Sequence, residues 1–154
     1  MTCGDLVYAS GPKSKMFLAI RDGGQGTVSD THVAWRVTEN APDVCTPLVY
    51  DGRMFVLDGD KKVLYRCDPK TGAKLWSGEW PVDSVTRVSL TGADGKLYGI
   101  SESGKVVIAE AGNTYKILAV NTLGEAPCRS SIAVSDGQLF IRTAKNLYCI
   151  GQRK

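Results

Sequence analysis

Asp51-Gly52-Arg53-Met54-Phe55-Val56-Leu57 returns downstream as Asp94-Gly95-Lys96-Leu97-Tyr98-Gly99-Ile100 and again as Asp136-Gly137-Gln138-Leu139-Phe140-Ile141. In each copy Asp-Gly precedes one polar residue and then an apolar run, and the copies stand 43 and 42 residues apart. Gly4-Asp5-Leu6-Val7-Tyr8 reads as an earlier copy; matching Gly4 to Gly52 places it 48 residues upstream, so the first repeat carries a longer loop. A fixed period of this length is the mark of a repeat architecture and outranks any local signal.

Around each Asp-Gly the same parts recur. Asp-Gly makes a tight hairpin, because positive φ costs Gly nothing and Asp little. The spacing predicts a strand before it (residues 45–50, 85–90 and 130–134) and a second turn after it, at Asp58-Gly59-Asp60-Lys61, Glu102-Ser103-Gly104-Lys105 and Thr143-Ala144-Lys145. Third strands follow over 63–67, 106–109 and 146–150, and fourth strands over 32–37, 73–76 and 114–120. No segment sustains a helical period, which excludes helical solenoids of similar repeat length. Short, even strands repeated every 42 or so residues predict an all-β propeller of four-stranded antiparallel blades. Its approximate blades are 4–40, 43–80, 84–121 and 128–151 in one domain spanning 1–154. The first repeat opens on its second strand at Leu6 and the last ends near Ile150, so the expectation is an open arc of a larger propeller. Its exposed blade faces and edges would invite an upstream propeller half or self-association.

Composition narrows the function classes. The chain has 154 residues, enough for a sizeable core. Its 19 basic and 16 acidic residues are scattered, with Lys61-Lys62 and Arg153-Lys154 the nearest approach to clusters. No basic stripe suits a phosphate backbone, so nucleic acid is not an expected partner. No apolar run is long enough to span a bilayer, and Met1 to Asp5 has neither the basic nor the apolar region of a signal peptide. The five cysteines, Cys3, Cys45, Cys67, Cys128 and Cys149, are odd in number and lack CxxC spacing, against a zinc site or a complete disulfide framework. Cys67 and Cys149 lie in apolar runs and read as buried free thiols.

The stretch Leu64-Tyr65-Arg66-Cys67-Asp68-Pro69-Lys70-Thr71-Gly72-Ala73-Lys74-Leu75-Trp76 resembles the quinoprotein-type (PQQ-like) propeller repeat, with Asp68, Thr71, Gly72 and Trp76 at its marked positions. The first repeat keeps Trp35 but has a glycine-rich loop at 22–30 in place of Thr-Gly; the third has Gly112-Asn113-Thr114 and no Trp. The pattern is similar to the C-terminal half of large exported bacterial proteins of this family, which implies a periplasmic or exported setting. A Trp in such a repeat is expected to bury its indole between adjacent blades, with Thr-Gly forming the turn that aims it.

Candidate chemistry is thin. His32, the one histidine, follows Ser29-Asp30-Thr31; neighbours in sequence cannot adopt triad geometry, and no nucleophile elbow is present. Gly23-Gly24-Gln25-Gly26 lacks the Gly-Lys-Ser/Thr and the helix of a phosphate loop. Asp58-Gly59-Asp60 lacks the later ligands of a calcium loop and reads as a solvated hairpin. The resemblance implies PQQ and calcium for the enzymes of the family, held beneath a disulfide of adjacent cysteines and by Glu and Asn side chains. This sequence has no Cys-Cys pair and no positions that match those ligands. The reading is therefore a non-catalytic scaffold that binds another protein, with no catalytic, cofactor or metal residues. The alternative is the C-terminal part of a quinoprotein-type oxidoreductase whose active residues lie elsewhere.

Overall fold

The computed structural model describes residues 2–11, 16–39, 41–42 and 44–151, without the Cys3 side chain; Arg153-Lys154 lies outside the described residues. Among the described residues, fifteen strands form four separate antiparallel sheets in chain order. The first holds β1 (Thr2–Cys3), β2 (Leu6–Gly11), β3 (Met16–Arg21) and β4 (Val33–Val37). The second holds β5 (Leu48–Tyr50), β6 (Arg53–Asp58), β7 (Val63–Cys67) and β8 (Lys74–Glu79). The third holds β9 (Thr91–Ala93), β10 (Lys96–Ile100), β11 (Lys105–Glu110) and β12 (Ile117–Thr122). The fourth is three-stranded: β13 (Ala133–Ser135), β14 (Gln138–Arg142) and β15 (Leu147–Ile150).

The Asp-Gly turns do what their chemistry requires. Asp51, Asp94 and Asp136 have φ of 50°, 48° and 50°, and the following glycines have φ of 68°, 66° and 73°. Two successive positive φ values define the turn whose twist matches a hairpin. Strand burial then follows position in the blade. Met54 to Asp58 of β6 is buried throughout, because a middle strand is covered on both faces by neighbouring blades. The outer strand β8 is mostly exposed. Its pairing with β7 slips at Arg66/Cys67, and the same slip occurs at Ala19/Ile20 and Ile108/Ala109. Such a bulge adds local twist to the outer strand of each blade.

Five expectations need correction. The first blade does have an inner strand, since Cys3 pairs with Leu6 across Gly4-Asp5. In that turn Gly4 takes the place of Asp51, not of Gly52, with φ of 62°. The inner strand of the third blade is Thr91–Ala93; residues 85–90 are an inter-blade loop. Asp58-Gly59-Asp60 does open the β6–β7 hairpin, but only Asp60 is solvated: Asp58 is 3% exposed and Gly59 is buried. Cys149 is exposed, whereas Cys45, Cys67 and Cys128 are buried free thiols.

The core lies between sheets, as three clusters, one per seam. Tyr8, Phe17 and Trp35 of blade one meet Met54, Val56 and Tyr65 of blade two. Phe55, Leu57 and Leu64 meet Leu97, Val107 and Ala109 at the next seam. Tyr98, Ile100 and Val106 meet Ile132 and Ile141 at the third. Alternation along each strand therefore feeds two different cores, one on each side of the blade.

Candidate binding face

Each blade presents two sets of loops, one at either end of its strands. At one end lie the loops between blades (residues 80–90 and 123–132) and the turns between second and third strands (58–62, 101–104 and 143–146). These are tied by contacts that themselves repeat. The Thr86 amide donates to the Gly59 carbonyl at 3.1 Å, and one repeat later the Cys128 amide donates to that of Glu102 at 3.0 Å. Arg87 pairs with Asp60 at 3.2 Å, and Arg129 with Glu102 at 2.9 Å. Each pair stitches an inter-blade loop back onto the turn of the preceding blade.

A second set of clasps reaches forward. Asp83 accepts the Ser103 hydroxyl and lies 3.4 Å from Lys105 Nζ. One repeat on, Glu125 accepts Thr143 Oγ1 at 2.7 Å, Asn146 Nδ2 at 3.1 Å and the Tyr148 hydroxyl at 2.9 Å. Hydrogen bonds from Thr143 and Asn146 hold the Glu125 carboxyl below its ordinary range, and that from Ser103 does the same for Asp83. The loops also press hard on the turns. A Cβ at Gly59 would lie 2.0 Å from the Thr86 oxygen, and one at Gly104 would lie 2.3 Å from the Glu125 oxygen. Next to the axis, the Thr46 amide donates to Ser89 Oγ at 2.9 Å and the Ser89 amide to Ser131 Oγ at 3.2 Å. The result is a face of short loops held in fixed positions from blade to blade. A cleft of about 160 Å³ opens on it between Arg129, Ser130, Arg142 and Thr143.

The marked repeat residues fall elsewhere. Asp51, Gly52, Asp94, Gly95, Asp136 and Gly137 form hairpin tips at the opposite end. Asp68 caps its turn, its Oδ1 accepting the Lys70 amide at 2.7 Å and the Thr71 amide at 3.2 Å. Gly72, with φ of 72°, is the seat of Trp35 from the preceding blade: a Cβ there would stand 2.8 Å from the indole. Thr-Gly therefore receives the neighbour's Trp. Trp76 is half-buried against Phe55 and Tyr115, and the fully buried indole is Trp80, which sequence reading passed over. A Cβ at Gly99 would lie 2.7 Å from Trp80, so a bare glycine backbone accommodates that ring. His32 has its Nδ1 2.7 Å from Thr31 Oγ1 at the foot of the exposed 22–30 loop. The forward clasps went unread because one acid and one hydroxyl about twenty residues apart carry no local signal. The repeat distance linking Asp83 to Glu125 could have exposed them.

Repeated four-stranded sheets with cores between them, continued by a three-stranded sheet, define a partial β-propeller built from PQQ-like repeats. The chain belongs to the PQQ-like family described as outer membrane protein assembly factor BamB, whose model matches residues 7–153. The crystal structure of BamB from Moraxella catarrhalis superposes with a TM-score of 0.66 at 16% identity, over 93% of this chain and 44% of its own. A europium-containing methanol dehydrogenase superposes with a TM-score of 0.58 at 16% identity, over 77% of this chain and 23% of its own. The chain thus spans less than half the length of either structure. No curated protein matches its sequence.

Proposed function

We propose that this chain is a non-catalytic propeller module that binds another protein through the face of clasped inter-blade loops. The observation that carries the reading is the repetition of the clasps: Asp60–Arg87 with Glu102–Arg129, and Asp83 with Glu125. Loops already ordered before association lose less entropy on binding. The family description, an outer membrane protein assembly factor, favours a role in association over turnover. It also favours an exported setting. Among the described residues no helix is long and apolar enough to cross a membrane.

The methanol dehydrogenase likeness raises the quinoprotein alternative, and the residues present do not fit PQQ with a metal. No three His, Cys, Asp or Glu side chains converge among the described residues. Asp58, the buried acid, already accepts the Lys61 amide at 3.0 Å and faces Lys61 Nζ at 3.4 Å. Photo-crosslinking residues placed at Lys61 or Lys145 should give a discrete protein adduct in an extract, competed by unlabelled chain, while one at Lys70 on the opposite end should not. Saturable PQQ binding coupled to alcohol-dependent dye reduction would overturn the proposal.

A further inference from the structure

The first seam holds a cavity of about 210 Å³ between Phe17, Val37 and Glu39 of blade one and Tyr65, Gly72 and Lys74 of blade two. Register identifies the same six positions in the second seam as Leu64, Gly78 and Trp80 facing Val107, Tyr115 and Ile117. There the space is filled. Tyr115 lies over Gly78, where a Cβ would meet its ring at 2.5 Å, while Val107 and Trp80 are 0% exposed and Ile117 packs on the same core. The first seam has glycine in place of Tyr115 and polar residues in place of Val107, Ile117 and Trp80, so volume and polarity arise together.

Three of the lining groups are unsatisfied. Tyr65 is 3% exposed, yet its hydroxyl has no hydrogen-bond partner among the described residues, a costly state for a buried polar group. Burial also holds the phenol above its ordinary range, so it stays a neutral donor. Lys74 Nζ stands 5.4 Å from the centre of the Tyr65 ring. Neither Lys74 nor Glu39 has an ion-pair partner among the described residues. Another blade shows what such a tyrosine takes. Tyr148 pairs with Ile141 in blade four as Tyr65 pairs with Val56 in blade two, and its hydroxyl donates to the Glu125 carboxylate at 2.9 Å.

We infer that the first-seam cavity binds a small apolar amino acid. Its carboxylate takes the Tyr65 hydroxyl and the Lys74 ammonium, its ammonium faces Glu39, and its side chain rests on Phe17 and Val37. Hydrogen bonds to ionised groups of this kind are the stronger ones. Size agrees: drug-sized ligands need about 300 Å³ or more, so about 210 Å³ admits a molecule of amino-acid size. The cavity lies between two complete blades and uses none of the clasp residues, so its failure leaves the protein-binding proposal standing, and the reverse also holds.

Isothermal titration of the 154-residue chain with leucine should show one saturable site, with a Kd below about 1 mM. Isocaproate, which lacks the ammonium, and isoamylamine, which lacks the carboxylate, should each bind about tenfold more weakly, since each forfeits a charged partner. Tyr65→Phe removes only an unpaired hydroxyl, so urea unfolding should show no loss of stability while leucine binding weakens about tenfold. Lys74→Gln, at an exposed position of β8, should weaken binding similarly, whereas Lys70→Gln should not. No saturable binding of leucine or phenylalanine up to about 10 mM overturns the inference. So does leucine binding that survives unchanged in both Tyr65→Phe and Lys74→Gln, and so does equal affinity for leucine and isocaproate.

Discussion

The first and second blade seams use a tryptophan at the same register and treat it differently. Trp35 pairs with Ala19, and Trp76 with Arg66, at equivalent points of their outer strands. Trp35 is 9% exposed, lies over Gly72, and donates its Nε1–H to the Pro69 carbonyl at 3.0 Å. The Tyr8 hydroxyl reaches the same carbonyl at 3.0 Å, and Phe17 meets the indole edge-on at 5.0 Å. Trp76 has no such seat. Where blade two has Gly72, the turn of blade three has Tyr115, whose ring stands 5.9 Å from Trp76 and covers Gly78. The Trp76 Nε1–H is buried with no partner among the described residues. A seam with a glycine seat gains both packing and a hydrogen bond, whereas a seam with tyrosine gains aromatic contact and leaves a donor unsatisfied.

Truncation should separate the seams most. Trp35→Ala should destabilise by about 3 to 5 kcal/mol, the range for emptying a buried aromatic site, and half-buried Trp76→Ala by about 1 to 3 kcal/mol. Urea unfolding measures both, and a reversed order would mean that the tyrosine seam is the stronger. Gly72→Ala attacks the seat itself. It adds a Cβ 2.8 Å from a rigid indole at a φ of 72°, so a loss of about 2 kcal/mol is expected. A neutral result would show that Trp35 moves freely off the turn.

The indole donors give a finer contrast. Trp35→Phe should cost about 1 kcal/mol more than Trp76→Phe, because the first removes a hydrogen bond to the Pro69 carbonyl, leaving it only that from Tyr8, and the second removes an unsatisfied N–H. Equal losses would place the difference in ring packing alone. The smallest effect lies in the thiols. Burial pushes Cys67, in the first seam, up to about 12 and Cys45, in the second, up to about 11, from an ordinary 9.0. Above pH 9 the unfolded chain loses these protons before the folded one, so stability should fall as pH rises from about 9 to 12. Thermal melts of Cys67→Ala should show a shallower decline. Native alkylation should label Cys149 first, then Cys45, with Cys67 last; prompt Cys67 labelling would mean that the first seam opens readily.

Period, turn chemistry and the longer strands could be read along the chain, because each depends on residues close in sequence. Asp51-Gly52, Asp94-Gly95 and Asp136-Gly137 announce their own dihedral angles, and alternation beside them announces strands with two covered faces. The inner strands were placed poorly, since a three-residue strand such as Thr91–Ala93 has too few positions to show a period. The two-residue β1 was missed for the same reason. The roles of Gly72, Gly99 and Trp80 could not be read at all. Nothing local shows that Gly72 serves a Trp thirty-seven residues upstream, or that Trp80 outranks Trp76 in burial. Such assignments follow from how one twisted sheet lies on the next, and a repeat period does not fix that. The same holds for Cys149, apolar in its run yet exposed, because burial in this fold is conferred by the adjacent blade rather than by the strand a residue belongs to.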